Sequence, residues 1–259
     1  MANGGEQSII RWPKTTDIVG RTSFKLRALA EPMIALGNAD GGKVRLLYSL
    51  SANTHQGVNY IHNLQATYDS LNRNASGHRF VFTHSLTSDD LKGVSLLAAS
   101  NTQYIEPDAA RILAKWVQDG GTLWFSSPVT WFDPWGHPVE NQDNTFEDAM
   151  ITQGVYRYGK GKVVVGVLPD LKSHCTGPWL VGSDGELIKH VDIRRVSHHG
   201  ALWLLIINRN DGEVSGQLTG FDNHWLASKI GRDVWNDEDV NLSQDILVSR
   251  FGVKLIKFN

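Results

Sequence analysis

The sequence predicts an α/β fold with a flavodoxin-like, mostly parallel sheet and helices on both faces, followed by a small all-β sandwich or barrel. Two observations predict this order. From residue 43 onwards, short apolar runs alternate with segments of helical periodicity, a pattern typical of βα units. After residue 180 the helical periodicity ends, and turn residues such as "HHG" and "NRNDGE" separate short apolar stretches, which is typical of antiparallel strands.

The 259 residues divide into three predicted parts. Residues 1–42 form a lead-in segment with one helix, in "FKLRALAEPMIALG". Residues 43–175 form the α/β domain, and residues 176–259 form the small antiparallel β domain. The boundary between these two domains falls in the stretch "LKSHCTGPWLVG", where neither pattern continues.

The predicted α/β domain contains four buried strands and two amphipathic helices. The strands are the apolar runs at 43–49, 79–84, 94–100 and 122–127. The predicted buried face of the first helix, at 57–73, consists of Val58, Ile61, Leu64, Tyr68 and Leu71. The second helix begins at Pro107, which suits a first helical turn, and ends at a double glycine. Its predicted buried face consists of Ala109, Ile112, Leu113, Trp116 and Val117.

Composition and charge exclude several classes of function. The formal net charge of −2 means that no global basic field argues for nucleic-acid binding. No apolar run approaches the roughly 20 residues that span a membrane, and the N-terminus lacks the apolar core of a signal peptide. No membrane association is therefore predicted, and the cytoplasm is favoured while the compartment stays open. Cys175 is the only cysteine, which excludes an intramolecular disulfide and a cysteine-based zinc site, and no cofactor is predicted.

Polar, uncharged side chains follow the predicted strands. In an open α/β sheet, ligands bind where the parallel strands end. The candidates at these ends for contact with a ligand or a partner loop are Ser49, Asn53, Ser100, Asn101, Ser126 and Ser127. This set can hydrogen-bond a sugar but contains no general base, so it predicts binding or an interface rather than catalysis.

The sequence predicts no nucleophile. Ser126 and Ser127 follow a strand, as the residues of a nucleophile elbow do, but the flanking glycines are missing and Pro128 comes next. Cys175 stands beside His174, and the side chains of adjacent residues seldom point at each other. Neither pattern is expected to form a catalytic dyad.

The loop "WFDPWGHPVE" combines aromatic and ionisable residues. Trp131 and Trp135 could form a platform for a sugar or an interface with another subunit. Asp133 and His137 are the candidates for a catalytic acid and base. The structural alternative is a loop packed by its own aromatic residues, in which Asp133 caps the turn before Gly136.

The remaining histidines predict no metal site. His55 and His62 lie two helical turns apart without a third ligand nearby in the sequence. The stretch "SHHG", which contains His198 and His199, most simply forms a β-turn with exposed imidazoles. Adjacent histidines on a strand project to opposite faces, so joint metal binding is not expected. The tryptophans of the predicted β domain, which suit either a small core or a sugar-binding face, are Trp203, Trp225 and Trp235.

The order of these elements resembles a known module. "KVRLLYSLSANTH" followed by a helix resembles the first βα unit of the class I glutamine-amidotransferase-like trimerisation domain of family 42 β-galactosidases. "LKGVSLLAASNTQYIEPDAARILAKWVQDGGTLWFSS", "FDPWGHP" and "YGKGKVVVGV" resemble successive segments of that domain. "LWLLIINRNDGEVSGQL" resembles the small β domain that ends such enzymes. The resemblance covers roughly residues 43–259 and implies self-association as a dimer or trimer.

The resemblance also implies that catalysis lies outside this chain. In that family a (β/α)₈ barrel precedes the module, and a retaining glycosidase needs two carboxylates about 5–5.5 Å apart. We therefore expect a non-catalytic oligomerisation and accessory region of a β-galactosidase-like glycoside hydrolase, acting in carbohydrate metabolism through a barrel that is not in this chain. The alternatives are a small hydrolase or sugar-modifying enzyme that uses Asp133 and His137, and a carbohydrate-binding module.

Overall fold

The computed structural model describes residues 24, 26–38, 43–73, 78–139, 144–174, 178–220 and 230–258. The helices are α1 (Ala30–Asn38), α2 (Leu50–Gln56), α3 (Val58–Arg73), α4 (Pro107–Gln118) and α5 (Asn144–Ile151). The first strands are β1 (Val44–Tyr48), β2 (His78–Phe82), β3 (Leu96–Ala98), β4 (Thr122–Phe125), β5 (Gly154–Tyr158) and β6 (Gly161–Val165). The later strands are β7 (Trp179–Val181), β8 (Val191–His198), β9 (Ala201–Asn208), β10 (Val214–Thr219), β11 (Ile230–Asp233), β12 (Glu238–Asn241), β13 (Ile246–Val248) and β14 (Val253–Phe258).

The first six strands form one sheet in the order β2-β1-β3-β4-β6-β5. All neighbours pair in parallel except β5 and β6, which form the antiparallel hairpin at one edge. The flavodoxin-like, mostly parallel sheet is therefore confirmed. None of the helices in the described part of the chain has the length and apolar character needed to cross a membrane.

Helices cover both faces of this sheet because its central strands have no polar face. Leu46 packs with α2 and α3, whereas its neighbour Leu47 packs with α4 and α5. The same alternation separates Leu96 and Ala98 from Leu97 along β3. Successive strand residues point to opposite faces, so each face needs its own cover of helices.

The predicted buried face of α3 is wrong at its beginning. Val58 and Ile61 are 64% and 38% exposed, whereas Tyr60 is fully buried. Leu64 and Leu71 are buried as predicted. The apolar pattern alone is compatible with a buried face that includes Val58 and Ile61 and with one that includes Tyr60. The packed structure selects Tyr60, whose ring enters the core and whose hydroxyl accepts a hydrogen bond from the strand-end backbone.

The prediction for α4 is largely confirmed. Pro107 occupies the first helical turn, and Ala109, Leu113 and Val117 are buried. Ile112 and Trp116 are only partly buried, although both pack against the same core. Ala110 takes a fully buried position that the predicted face did not include.

The later strands form two antiparallel sheets, β13-β10-β7 and β12-β11-β14-β9-β8. Their facing sides enclose one apolar core that contains Leu180, Leu204, Ile206, Val248 and Ile256. The predicted small all-β domain is therefore a sandwich.

Helix α1 covers the outer face of the five-stranded sheet. Leu36 packs there with Trp203, Leu205 and Leu255 and is 1% exposed. Strand β9 is apolar on both faces: Leu202, Leu204 and Ile206 enter the sandwich, while its alternate residues face α1. The helix predicted in the lead-in segment thus covers a sheet face that would otherwise be apolar and exposed.

A polar contact joins the parallel sheet layer to the sandwich. Arg209 donates hydrogen bonds to the Tyr68 hydroxyl at 3.0 Å and to Asp192 at 2.5 Å. Although desolvation lowers the pKa of Arg209, these two partners outweigh it and raise the pKa above its ordinary value. The guanidinium therefore stays charged between the two layers.

Gly161 marks a close approach between strand β6 and the end of α4. A Cβ atom at this position would lie 2.1 Å from the carbonyl oxygen of Val117 and 2.2 Å from that of Gly121. We expect Gly161→Ala to lower the free energy of unfolding by about 1–3 kcal/mol in urea denaturation, because two backbone segments must move apart. Gly212→Ala is the matched control, since nothing lies within 4 Å of its Cβ position. Equal stabilities of the two variants would contradict this account.

Candidate functional site

The carboxyl edge of the parallel sheet brings together the predicted strand-end residues, but Ser49 is used structurally. Its side chain is fully buried and caps α2, accepting a hydrogen bond from the Ala52 amide at 3.1 Å. Its hydroxyl donates to the carbonyl oxygen of Tyr104 at 2.6 Å, and its amide donates to the Tyr60 hydroxyl at 2.8 Å. These bonds occupy the hydroxyl, so Ser49 is not free to hold a ligand in this conformation.

The sharp strand-end turn follows β3 rather than β4. Ser100 has a φ of 52°, in the left-handed region that non-glycine residues seldom adopt. Its side chain is fully buried and accepts a hydrogen bond from the Thr67 hydroxyl at 3.0 Å. Its carbonyl oxygen accepts from the Ser126 amide at 2.9 Å. The turn at Ser100 therefore has the sharp backbone conformation of a nucleophile elbow. The Ser100 hydroxyl, however, bonds to the Thr67 hydroxyl and not to a general base.

The other strand-end candidates, Asn53, Asn101 and Ser127, are half-buried. Gln56, on α2, bridges this edge: its amide nitrogen donates to the carbonyl oxygen of Asn101 at 3.1 Å, and its oxygen accepts from the Gln103 amide at 3.3 Å. The side-chain oxygen of Asn101 is buried and has no hydrogen-bond partner among the described residues. It is one of the polar groups that this edge leaves available.

Sequence reasoning missed a carboxylate at this edge. Glu106 precedes α4, and its Oε1 accepts a hydrogen bond from the Ser51 hydroxyl at 3.0 Å. Its Oε2 is buried without a hydrogen-bond partner in the described chain. The available signal was its place before Pro107, because residues that precede the first helical turn lie at the strand-end edge in βα units.

Asp133 organises its own loop. Its Oδ1 accepts hydrogen bonds from the amides of Trp135 at 2.8 Å and His137 at 2.9 Å, and its Oδ2 lies 3.3 Å from Nδ1 of His137. Desolvation raises the pKa of Asp133, but these donors outweigh it and hold the pKa below its ordinary value. Gly136 follows with a φ of 88°. The carboxylate therefore acts as an ionised cap of the turn, and it is a poor proton donor near neutral pH.

The two tryptophans of the loop do not form a joint platform. Trp131 is 2% exposed and packs against Phe125 and Phe146, with ring centroids 6.0 and 5.7 Å apart. Trp135 is 83% exposed. Because one ring belongs to the core and the other to the surface, Trp135 alone can meet a ligand.

His55 holds the loop against α2. Its ring stacks on Tyr104, with centroids 4.2 Å apart and planes 10° apart, and its Nε2 lies 2.8 Å from the carbonyl oxygen of Pro134. His55 therefore ties the loop to α2 at the sheet edge.

A strip of aromatic side chains lies exposed on strand β2, at the edge of the parallel sheet. Phe80 and Phe82 are 41% and 44% exposed. The ring of Phe80 lies 6.2 Å from that of Tyr68 and 6.4 Å from that of Phe82, and each pair is nearly parallel. We call Phe80 and Phe82 the β2 aromatic strip; Tyr68, on α3, lies beside it.

The histidine near the predicted domain boundary and the described tryptophans of the sandwich pack within the protein. His174 is buried, and its Nδ1 lies 2.9 Å from the Ser95 hydroxyl; burial and then Lys162 lower its pKa. Trp203 and Trp235 belong to the core beneath α1. The predictions for Cys175 and Trp225 fall outside the described residues.

Comparison with known proteins identifies the fold. No protein-family model matches the sequence, and no curated protein matches it significantly. The β-galactosidase of Bacillus circulans sp. alkalophilus is 12% identical with a TM-score of 0.63, covering 95% of this chain and 45% of that one. A GH42 β-galactosidase of G. stearothermophilus, solved as a catalytic mutant, is 12% identical with a TM-score of 0.59, covering 84% of this chain and 40% of that one. The GH42 exo-carrageenase of Bacteroides ovatus is 13% identical with a TM-score of 0.60, covering 95% of this chain and 33% of that one.

These likenesses confirm, at the level of the fold, the resemblance to part of a family 42 β-galactosidase. They cover the parallel sheet layer and the sandwich together, in the order that the sequence predicts. The chain spans less than half the length of these proteins.

Replacing Trp131 and replacing Trp135 are predicted to have very different effects on stability. We expect Trp131→Ala to lower the free energy of unfolding by about 3–5 kcal/mol, because it leaves a cavity between two aromatic rings. Trp135→Ala is expected to change it by less than about 0.5 kcal/mol, because the ring is at the surface. Urea denaturation measures both, and a large loss in Trp135→Ala would show that this ring packs against part of the protein.

The burial of Tyr60 predicts a loss of stability in alkali. Burial raises the pKa of Tyr60 above its ordinary value, although hydrogen bonds with the Ser49 amide and Thr102 act in the opposite direction. The unfolded chain therefore loses this proton first. The stabilising effect is complete below about pH 10 and is lost as the pH rises through the folded-state pKa.

We expect Tyr60→Phe to lose less stability than the wild type above about pH 10, measured by urea denaturation across that range. Tyr156→Phe is the control, because its hydroxyl bonds to the carbonyl oxygen of Gln153 at the surface. Identical pH profiles for Tyr60→Phe and the wild type would refute the prediction.

Proposed function

We propose that this chain is a non-catalytic oligomerisation and accessory region of a glycoside-hydrolase-like protein. In this proposal the parallel sheet layer is an amidotransferase-like module. It holds subunits together beside a catalytic barrel supplied by another chain or by another part of a longer chain. The observation that carries the proposal is that the chain has the fold of less than half of a family 42 β-galactosidase.

The chemistry of the sheet edge supports a non-catalytic role. Ser49 and Ser100 use their hydroxyls within the protein, and Asp133 is an ionised turn cap. Glu106 is the partly buried carboxylate at this edge, and its described partner is the Ser51 hydroxyl. A retaining glycosidase uses two carboxylates about 5–5.5 Å apart, whereas the hydrogen-bond partner that the described chain gives Glu106 is a hydroxyl.

The β2 aromatic strip supports self-association. An edge strand presents unpaired backbone groups to the solvent, and β2 pairs only with β1 in the described sheet. Exposed aromatic rings on such a strand favour contact with another protein surface, because burying them removes apolar area from water. A second copy of the chain supplies the same surface, as a symmetric dimer requires.

Light scattering coupled to gel filtration tests the proposal. We expect the purified chain to form a dimer or trimer at micromolar concentration, and the double variant Phe80→Ser/Phe82→Ser to be monomeric. Leu247→Ser is the matched control, since it removes a 50%-exposed apolar side chain from the edge strand β13. A monomeric wild type, or a double variant that still assembles, would contradict the proposal.

Aryl-glycoside hydrolysis and sugar binding test the alternatives in the same preparations. Turnover that is lost in His137→Ala would favour the small hydrolase. The exposure of Trp135 favours carbohydrate binding as the second candidate. Quenching of tryptophan fluorescence by oligosaccharides, lost in Trp135→Ala, would support that role.

A further inference from the structure

We propose that Glu31, His198 and His199 form a binding site for a transition-metal ion of the Zn²⁺ type. The site joins helix α1 to the turn between strands β8 and β9. Its three ligand atoms, one from each residue, all lie within 4.8 Å of one another.

The turn conformation brings the two histidines together. Strand β8 ends at His198, which pairs with Ala201 across a two-residue turn. Both turn residues have positive φ, 49° for His199 and 75° for Gly200, as in the tight hairpin turns that suit twisted strands. The two imidazole rings therefore do not diverge as the strand pattern predicts. Their centroids are 4.1 Å apart.

Glu31 completes the set from a distant part of the sequence. Its Oε2 lies 3.6 Å from Nε2 of His199 and 3.9 Å from Nε2 of His198. Tetrahedral zinc with bonds of about 2.0–2.2 Å holds its ligand atoms roughly 3.4 Å apart. Small side-chain rotations therefore bring all three atoms to coordination distance.

The unpaired ring nitrogen of His198 supports metal binding at this site. Its Nε2 is buried and has no hydrogen-bond partner among the described residues. A buried nitrogen without a partner is unfavourable, and coordination of a metal would satisfy it. The His199 ring is 76% exposed, which leaves one side of the set open for a water molecule as fourth ligand. Two imidazoles and one carboxylate suit Zn²⁺ better than Ca²⁺ or Mg²⁺, which prefer oxygen ligands.

Because the site lies between helix α1 and the β8–β9 turn, a bound ion would stabilise the fold. Helix α1 is held to the five-stranded sheet by apolar contacts that include Leu36 and Trp203. A metal bound by Glu31 and the two histidines would add a crosslink between α1 and the β8–β9 turn. An ion that binds only the folded chain raises the stability of that chain.

Calorimetric titration of ZnCl₂ into tag-free, EDTA-treated full chain tests the site. We expect one ion per chain and a Tm that rises with Zn²⁺ concentration. His198→Ala, His199→Ala and Glu31→Gln should each weaken binding roughly tenfold or more, since even residues that only orient a ligand contribute about that much. Co²⁺ should give a visible absorption band that is lost in the same variants.

His62→Ala and Glu186→Gln are the controls, because each removes an exposed side chain of the same type as a proposed ligand, at a position away from the site. Both should bind Zn²⁺ as the wild type does, and circular dichroism in EDTA should show that every variant is folded. The proposal is overturned if the wild type does not bind Zn²⁺ at submillimolar concentration, or if binding survives His198→Ala or His199→Ala. Unchanged binding in Glu31→Gln would likewise overturn the three-ligand site.

Discussion

The absence of a polar face on the central strands is the constraint on which the rest of the structure depends. Strands β1, β3 and β4 are buried on both sides, so the parallel sheet has helices above and below it. Strand β9 has the same character within the sandwich, and α1 provides its outer cover. Burial of apolar area is the main force that stabilises a fold, and here it also determines where each helix must lie. The layered fold and the placement of α1 follow from it.

The same constraint explains the chemistry of the sheet edge. Strands that are buried on both faces end among packed helices, so the polar groups at their ends must find partners inside the protein. Ser49 and Ser100 meet this need by bonding to neighbouring backbone and hydroxyl groups. Residues that look available in the sequence are therefore used by the fold. Among the described residues, the groups left without partners at this edge lie on Asn101, which strand-end polarity does single out, and on Glu106, which it does not.

Local backbone conformation decides the geometry of the two polar clusters. At the loop of Asp133, backbone amides converge on one carboxylate and keep it ionised. At the β8–β9 turn, a left-handed residue places two imidazoles side by side. In both cases residues close together in the sequence act together only because the chain turns sharply, which strand or helix periodicity does not describe.

The sequence by itself determined the order of the strands and the positions of helices α3 and α4, but not the separate helix α2. It could do so because hydrophobic periodicity and glycine or proline signals act locally. It predicted the parallel strands, the α4 helix from Pro107 and the change to antiparallel strands. Only the tertiary structure decided which face of α3 is buried, and that Trp131 enters the core while Trp135 stays at the surface. It alone brought Glu31 to His198 and His199. These outcomes depend on contacts between residues far apart in the chain, which no local pattern encodes.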